Sequence, residues 1–172
     1  MNWYLLTLAG RDRPGIVARV SGALFEAGCN LGGTSMMRLG DRFGMLMLVA
    51  VGDGEAALHS ALDPVVSELG LEMQLSPSAP PELPAAEPEL AITVHGADQA
   101  GIVARVTSAA AQAGFNIMDL ESQLGGSPDS PVYVLHMEGR CERGLDALRA
   151  ALDPLREAGI RVDVRAIDTL IG

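Results

Sequence analysis

The chain has 172 residues, 48% of them hydrophobic, 20% charged and 3% aromatic, and its 12 basic residues against 22 acidic ones leave a net charge of −10. So large an apolar share excludes a disordered chain, and the shortage of Lys and Arg argues against direct binding to DNA or RNA, whose phosphates are held by cations that displace counterions. Residues 3–9 are too short for a signal peptide and lack a basic lead-in, and no run reaches membrane-crossing length, so a cytoplasmic protein with no membrane contact is expected.

Residues 3–9 read as a strand, with a turn over residues 10–13. A helix is expected next, with Asp12 as its cap and Pro14 in the first turn, where a missing N–H has no partner to lose. Ile16, Val17, Val20, Ala23, Leu24 and Ala27 recur at helical spacing, and Gly28 closes the helix in the left-handed conformation. Residues 31–39 read as a second strand, Gly40 and Asp41 as a turn, and the nearly all-apolar residues 43–51 as a central strand. A second helix is expected over residues 55–69, with Leu58, Leu62, Val65, Val66 and Leu69 inward and Pro64 kinking or dividing it. Gly70 stops that helix, and residues 71–75 make a short last strand. The order β-α-β-β-α-β is ferredoxin-like.

Residues 76–88 hold Pro77, Pro80, Pro81, Pro84 and Pro88, and read as a semi-rigid linker outside any strand or helix. Beyond the linker the chain repeats itself. Gly10-Arg11-Asp12-Arg13-Pro14-Gly15-Ile16-Val17-Ala18-Arg19-Val20 returns as Gly96-Ala97-Asp98-Gln99-Ala100-Gly101-Ile102-Val103-Ala104-Arg105-Val106, and Gly28-Cys29-Asn30 as Gly114-Phe115-Asn116. Strands are expected over residues 89–95, 116–124, 132–138 and 160–167, and helices over 100–113 and 142–158. A longer loop fills residues 125–131, and Pro154 matches Pro64. The period is that of a small domain. The expected fold is α+β: two ferredoxin-like domains with antiparallel sheets, residues 1–75 and 89–172, joined by the linker 76–88.

The repeated stretch proposes a site. The first N–H groups of a helix lack internal partners and carry partial positive charge, so a strand, a glycine turn and a helix start suit a small anion. Gly15 and Gly101 lack a Cβ and let a ligand approach the backbone. Asp12 and Asp98 stand beside those amides, which suits the two ends of a free amino acid: amides for its carboxylate, Asp for its ammonium. Asn30 and Asn116 offer amide groups that both donate and accept. Each residue also has a plain structural reading, Asp as cap, Gly for close packing, Asn in a turn. Their joint return in two halves that diverge elsewhere favours function.

Asp-Arg-Pro-Gly-Ile-Val, a helix, and then Gly-x-Asn-hydrophobic resemble the signature of the ACT domain. Two such domains with a linker resemble the glycine cleavage system transcriptional repressor family. The resemblance implies βαββαβ domains, sheets paired side by side, and small effectors, commonly amino acids, held at domain interfaces. It implies effector contacts in the loop before the first helix and at the start of the second strand. Those positions fall on Gly10, Asp12, Arg13, Gly15, Ile16, Asn30 and Leu31, and on Gly96, Asp98, Gln99, Gly101, Ile102, Asn116 and Ile117. Some amino-acid-binding members carry His where Gly10 and Gly96 stand, and the second copy has Gln99-Ala100 in place of Arg-Pro.

No nucleophile–base pair, metal set or phosphate loop stands at recognisable spacing, so no catalytic residue, metal or cofactor is expected. Cys29 and Cys141 read as reduced thiols rather than a disulfide or zinc site. His95 and His136 fall on neighbouring strands without a third ligand. Met36, Met37, Met45 and Met47 read as core filling or an adaptable surface, and Arg19 and Arg105 as a solvated face. The expected protein is a non-catalytic sensor of a glycine- or serine-like amino acid, acting through a regulatory protein partner and as a homodimer, with a ligand-free docking module as the alternative.

Overall fold

The computed structural model describes residues 1–81, 86–97, 101–127 and 130–167. The chain divides into two units, Met1–Ala85 and Ala86–Gly172. The first contains β1 (Asn2–Arg11), α1 (Ile16–Glu26), β2 (Asn30–Leu39), β3 (Arg42–Val51), α2 (Glu55–Leu69) and β4 (Leu71–Ser78). The second contains β5 (Leu90–Ala97), α3 (Ile102–Gln112), β6 (Phe115–Ser127), β7 (Ser130–Cys141), α4 (Gly144–Glu157) and β8 (Arg161–Ala166). Each sheet is antiparallel, in the orders β2-β3-β1-β4 and β6-β7-β5-β8. This is the ferredoxin-like α+β arrangement that the sequence pattern predicts.

Period-2 alternation sets one face of each sheet against its helices. In the first unit Leu6, Leu8, Met45, Met47 and Val49 pack with Ile16, Val20, Leu24, Leu58 and Leu62. In the second, Ile92, Val94, Leu135 and Met137 pack with Ile102, Val106, Leu148 and Leu152. Of the four methionines in the Met-rich hairpin, Met45 and Met47 are buried, whereas Met36 and Met37 are exposed on the edge strand β2. No helix among the described residues is long and apolar enough to cross a membrane.

Four expectations about local structure are corrected. Asp12 does not cap α1: the cap position is Gly15, left-handed at φ 91°, and Pro14 lies before the helix. Pro64 does not divide α2, which continues past it because Leu58, Leu62, Val66 and Leu69 are buried on both sides of the break in hydrogen bonding; α4 likewise runs through Pro154. The segment expected as linker from residue 76 begins inside β4, where Pro77 sits opposite Tyr4. β4 is an edge strand, where proline is tolerated. Finally, most of the loop expected over 125–131 is hairpin: Gly125, Gly126 and Ser127 pair with Val132, Pro131 and Ser130. Among the described residues β5 ends opposite Val132, and none pairs with Pro131 on its other side. Pro128 lies outside the described residues.

Candidate functional site

The chain leaves β1 at Arg11 and turns through Asp12, Arg13 and Pro14 into Gly15. No side chain caps α1, and its first turn carries no acidic residue, so the amides there have no side-chain acceptor. Gly15 accepts from the Arg19 N–H at 3.0 Å, and Gly101, at φ 88°, accepts from the Arg105 N–H at 3.0 Å. Positive φ at both places explains why both copies keep glycine. Beside Gly15 lies an open cleft of about 240 Å³ lined by Asp12, Arg13, Ile16, Val17, Met36 and Phe43. Asp12 is fixed from the opposite side: its N–H donates to the Asp41 carbonyl at 2.9 Å, and its carboxylate stands 3.6 Å from the Arg38 guanidinium. Met36 and Phe43, which line the cleft, and Arg38, which borders it through Asp12, come from the β2–β3 hairpin and were invisible to the loop motif; only the register of that hairpin, Met36 with Met45 and Arg38 with Phe43, brings them there.

The remaining positions behave differently. The side chains of Ile16 and Ile102 are buried in the two cores, so each offers a ligand only its backbone. A Cβ at Gly10 would meet Leu71 Cδ2 at 2.5 Å, and one at Gly96 would meet Ile102 Cδ1 at 2.9 Å. Both glycines therefore serve close packing, and a histidine in either place would require repacking. Asp98 and Gln99 lie outside the described residues.

Asn30 and Leu31 do not join the Gly15 cleft within their own unit. Asn30 pairs with Ala50 at the end of the sheet where Asn2 pairs with Val51, whereas Gly10 pairs with Phe43 at the other end. Eight residues of β1 separate the two ends, roughly 27 Å at strand rise. The Asn30 amide donates to Met1 Sδ at 3.4 Å, and Leu31 is exposed. In the second unit Asn116 pairs with Arg140 and borders an open pocket with Glu89 and Glu142, while Ile117 packs on the core.

His95 and His136 stand diagonally on one face of β5 and β7. His136 has Nδ1 3.1 Å from Thr93 Oγ1 and Nε2 3.2 Å from Glu138 Oε1, which satisfies both ring nitrogens within the protein. Among the described residues no three His, Cys, Asp or Glu side chains are grouped to hold a metal. Arg19 is not simply solvated: its two terminal nitrogens bond both oxygens of Glu68 on α2, one at 2.5 Å. The hydrogen bond from Arg19 lowers the Glu68 carboxyl below its ordinary pKa, and Glu68 in turn raises that of Arg19. Cys29 is half-buried, and desolvation raises its thiol pKa. Cys141 is buried with Sγ 3.3 Å from the Ala113 carbonyl.

A model of the ACT domain matches residues 3–76 and 89–126. The chain is 36% identical over 76 residues to a UPF0237 protein of Methanopyrus kandleri, across 42% of this chain and 84% of that one. It is 25% identical over 139 residues to the glycine cleavage system transcriptional repressor of Escherichia coli, across 80% of this chain and 73% of that protein. A crystal structure of an unknown protein from Galdieria sulphuraria superposes with a TM-score of 0.80 at 26% identity, covering 96% of this chain and 98% of the other.

Proposed function

Since the chain belongs to the ACT-domain family, we propose that it is a non-catalytic regulatory protein that senses a small free amino acid, in the size range of glycine or serine. One observation carries this reading: two helix starts with no side-chain cap among the described residues, each behind a left-handed glycine, with a cleft beside Gly15. The amides take the ligand carboxylate and Asp12 takes its ammonium. Because Asn30 lies at the far end of its own domain, an Asn contact to the same ligand comes from a second ACT-like domain, and a second copy of the chain supplies one. The edge strand β2 supports that arrangement: it is unpaired on its outer side in its own sheet and exposes Leu31, Met36, Met37 and Leu39. Ligand then favours one arrangement of domains, and a partner protein reads it. Similarity to a transcriptional repressor makes control of amino-acid metabolism through that partner the natural setting.

A thermal-shift panel of free amino acids tests the proposal. At a hundred times its dissociation constant a ligand adds about 2.7 kcal/mol. Gly15→Ala costs roughly 1 kcal/mol through its left-handed backbone and is expected to abolish the shift by disturbing the amides that hold the carboxylate. The rival reading, a ligand-free dimerisation or docking module, gains from the closed packing at Gly10 and Gly96. A panel in which no amino acid shifts the wild type would establish the rival.

A further inference from the structure

The first domain's basic residues are not spread over its surface. Of its five, Arg13 lines the Gly15 cleft, Arg38 stands beside it against Asp12, Arg11 and Arg42 lie at the same end of the sheet on the face opposite Phe43, and Arg19, one turn into α1, is held by Glu68. Three acidic residues, Asp12, Asp41 and Glu72 opposite Ala9, stand at the same end as the first four of these, so that end is still net positive, by one charge, in a chain of net charge −10. The neutralisation is loose. Arg38 Nε is 3.6 Å from Asp12, and Arg11 and Arg42 share Asp41 at 3.6 and 3.9 Å, every guanidinium being about 70% exposed. Arg13 has no ion pair among the described residues.

Arg11 and Arg42 are, moreover, direct cross-strand partners on β1 and β3. Like charges placed opposite one another destabilise a sheet, and here the shared Asp41 offsets that only at long range. The second domain lacks the feature. The matching positions there are Ala97, Gln99, Leu124 and Val132, all uncharged, although the Gly-Ile-Val-Ala-Arg run beside them is retained. The two copies thus keep the same backbone device and differ in the charge around it.

We infer that the Gly15 cleft is specific for an acidic α-amino acid, one carrying a second carboxylate. The inference rests on the amino-acid-sensing reading above but replaces its glycine- or serine-sized ligand with a larger, acidic one. The α-carboxylate lies at the amides and the ammonium at Asp12, and the side-chain carboxylate displaces Asp12 from Arg38 and sits between Arg38 and Arg13. Arg11 and Arg42 add attraction without contact. A cleft of about 240 Å³ holds the volume of about eight waters, room enough for such a ligand.

Titration calorimetry on the full chain, with L-glutamate, L-aspartate, glycine and L-serine, decides the matter. The expected result is that at least one acidic amino acid binds about tenfold tighter than glycine, at one site per chain, with an advantage that shrinks as salt is added. Arg13→Gln with Arg38→Gln removes that advantage, whereas Arg161→Gln with Arg165→Gln in the second domain retains it. If glycine or serine binds as tightly as both acidic ligands, the sensing proposal stands and this inference falls. If sodium phosphate displaces glutamate at equal concentration, the cleft is a general anion patch and the inference also falls. If none of the four binds, both are overturned.

Discussion

The two domains share a backbone and differ in what their edges carry. Each has the left-handed glycine before its first helix, the same sheet order, and a proline tolerated inside its second helix. Each also has a bulge soon after the start of the second strand, after Leu31 in β2 and after Ile117 in β6. The open sheet faces diverge. In the first domain, Leu46 on β3 is exposed diagonally from Met37 on β2, with exposed Leu39 further along the same edge. In the second, the corresponding face carries His95, His136, Glu121, Glu138, Arg161 and Asp163. The glycine-loop ends diverge in charge as well. Retained geometry with altered side chains indicates that the backbone device is common property, while each copy has its own neighbours to meet.

The largest test of that comparison asks whether the two cores are separate. Leu58 and Leu148 occupy matching positions and are fully buried. Leu58→Ala and Leu148→Ala should each cost about 3 kcal/mol by leaving a cavity. Native-state hydrogen exchange should show the loss only in amides of the altered domain, and equal loss of protection in both would make the chain one cooperative unit. A smaller effect is expected at Gly139. Its counterpart Val49 carries a full side chain into the first core, but a Cβ on Gly139 would lie 2.0 Å from the Asn116 carbonyl oxygen. Gly139→Ala should therefore cost about 2 kcal/mol, confined to the second domain, because a backbone atom has to move. A neutral result would mean that the β6 bulge shifts freely.

Most of the fold was legible because apolar spacing and glycine stops are local. Gly28, Gly70 and Gly159 close helices as left-handed residues, and Leu58, Leu62, Leu148 and Leu152 face inward as their periodicity predicts. The errors arose where distant context overrules a local rule. Asp12 looks like a cap on spacing alone, but its N–H and its carboxylate are drawn to Asp41 and Arg38 on the neighbouring hairpin. Pro77 looks like a linker residue, but edge position makes it harmless in β4. The candidate site was half legible. The glycine loop announces itself in sequence; its separation from Asn30 follows only from strand direction, since α1 carries the chain back to the opposite end of the sheet.

The smallest effect separates the two first helices. Arg19 and Arg105 occupy the same place in the repeat, but aligning Pro64 with Pro154 puts Ala158 where the first domain has Glu68. Among the described residues Arg19 therefore ties its helix to the next one and Arg105 has no such acidic partner. Because the Glu68 carboxyl titrates below its ordinary range when folded, the pair stabilises the first domain above the unfolded carboxylate pKa. That contribution fades as pH falls through the folded value. The pair is solvent-exposed, so the effect is small and screened by salt. Comparing wild type with Glu68→Gln by domain-resolved unfolding, from about pH 7 down to about pH 3, should show a difference that closes toward acid in the first domain. Hydrogen exchange in the second domain should not distinguish the two proteins at any pH. A difference that persists at the acid end would assign Glu68 a packing role instead of an electrostatic one.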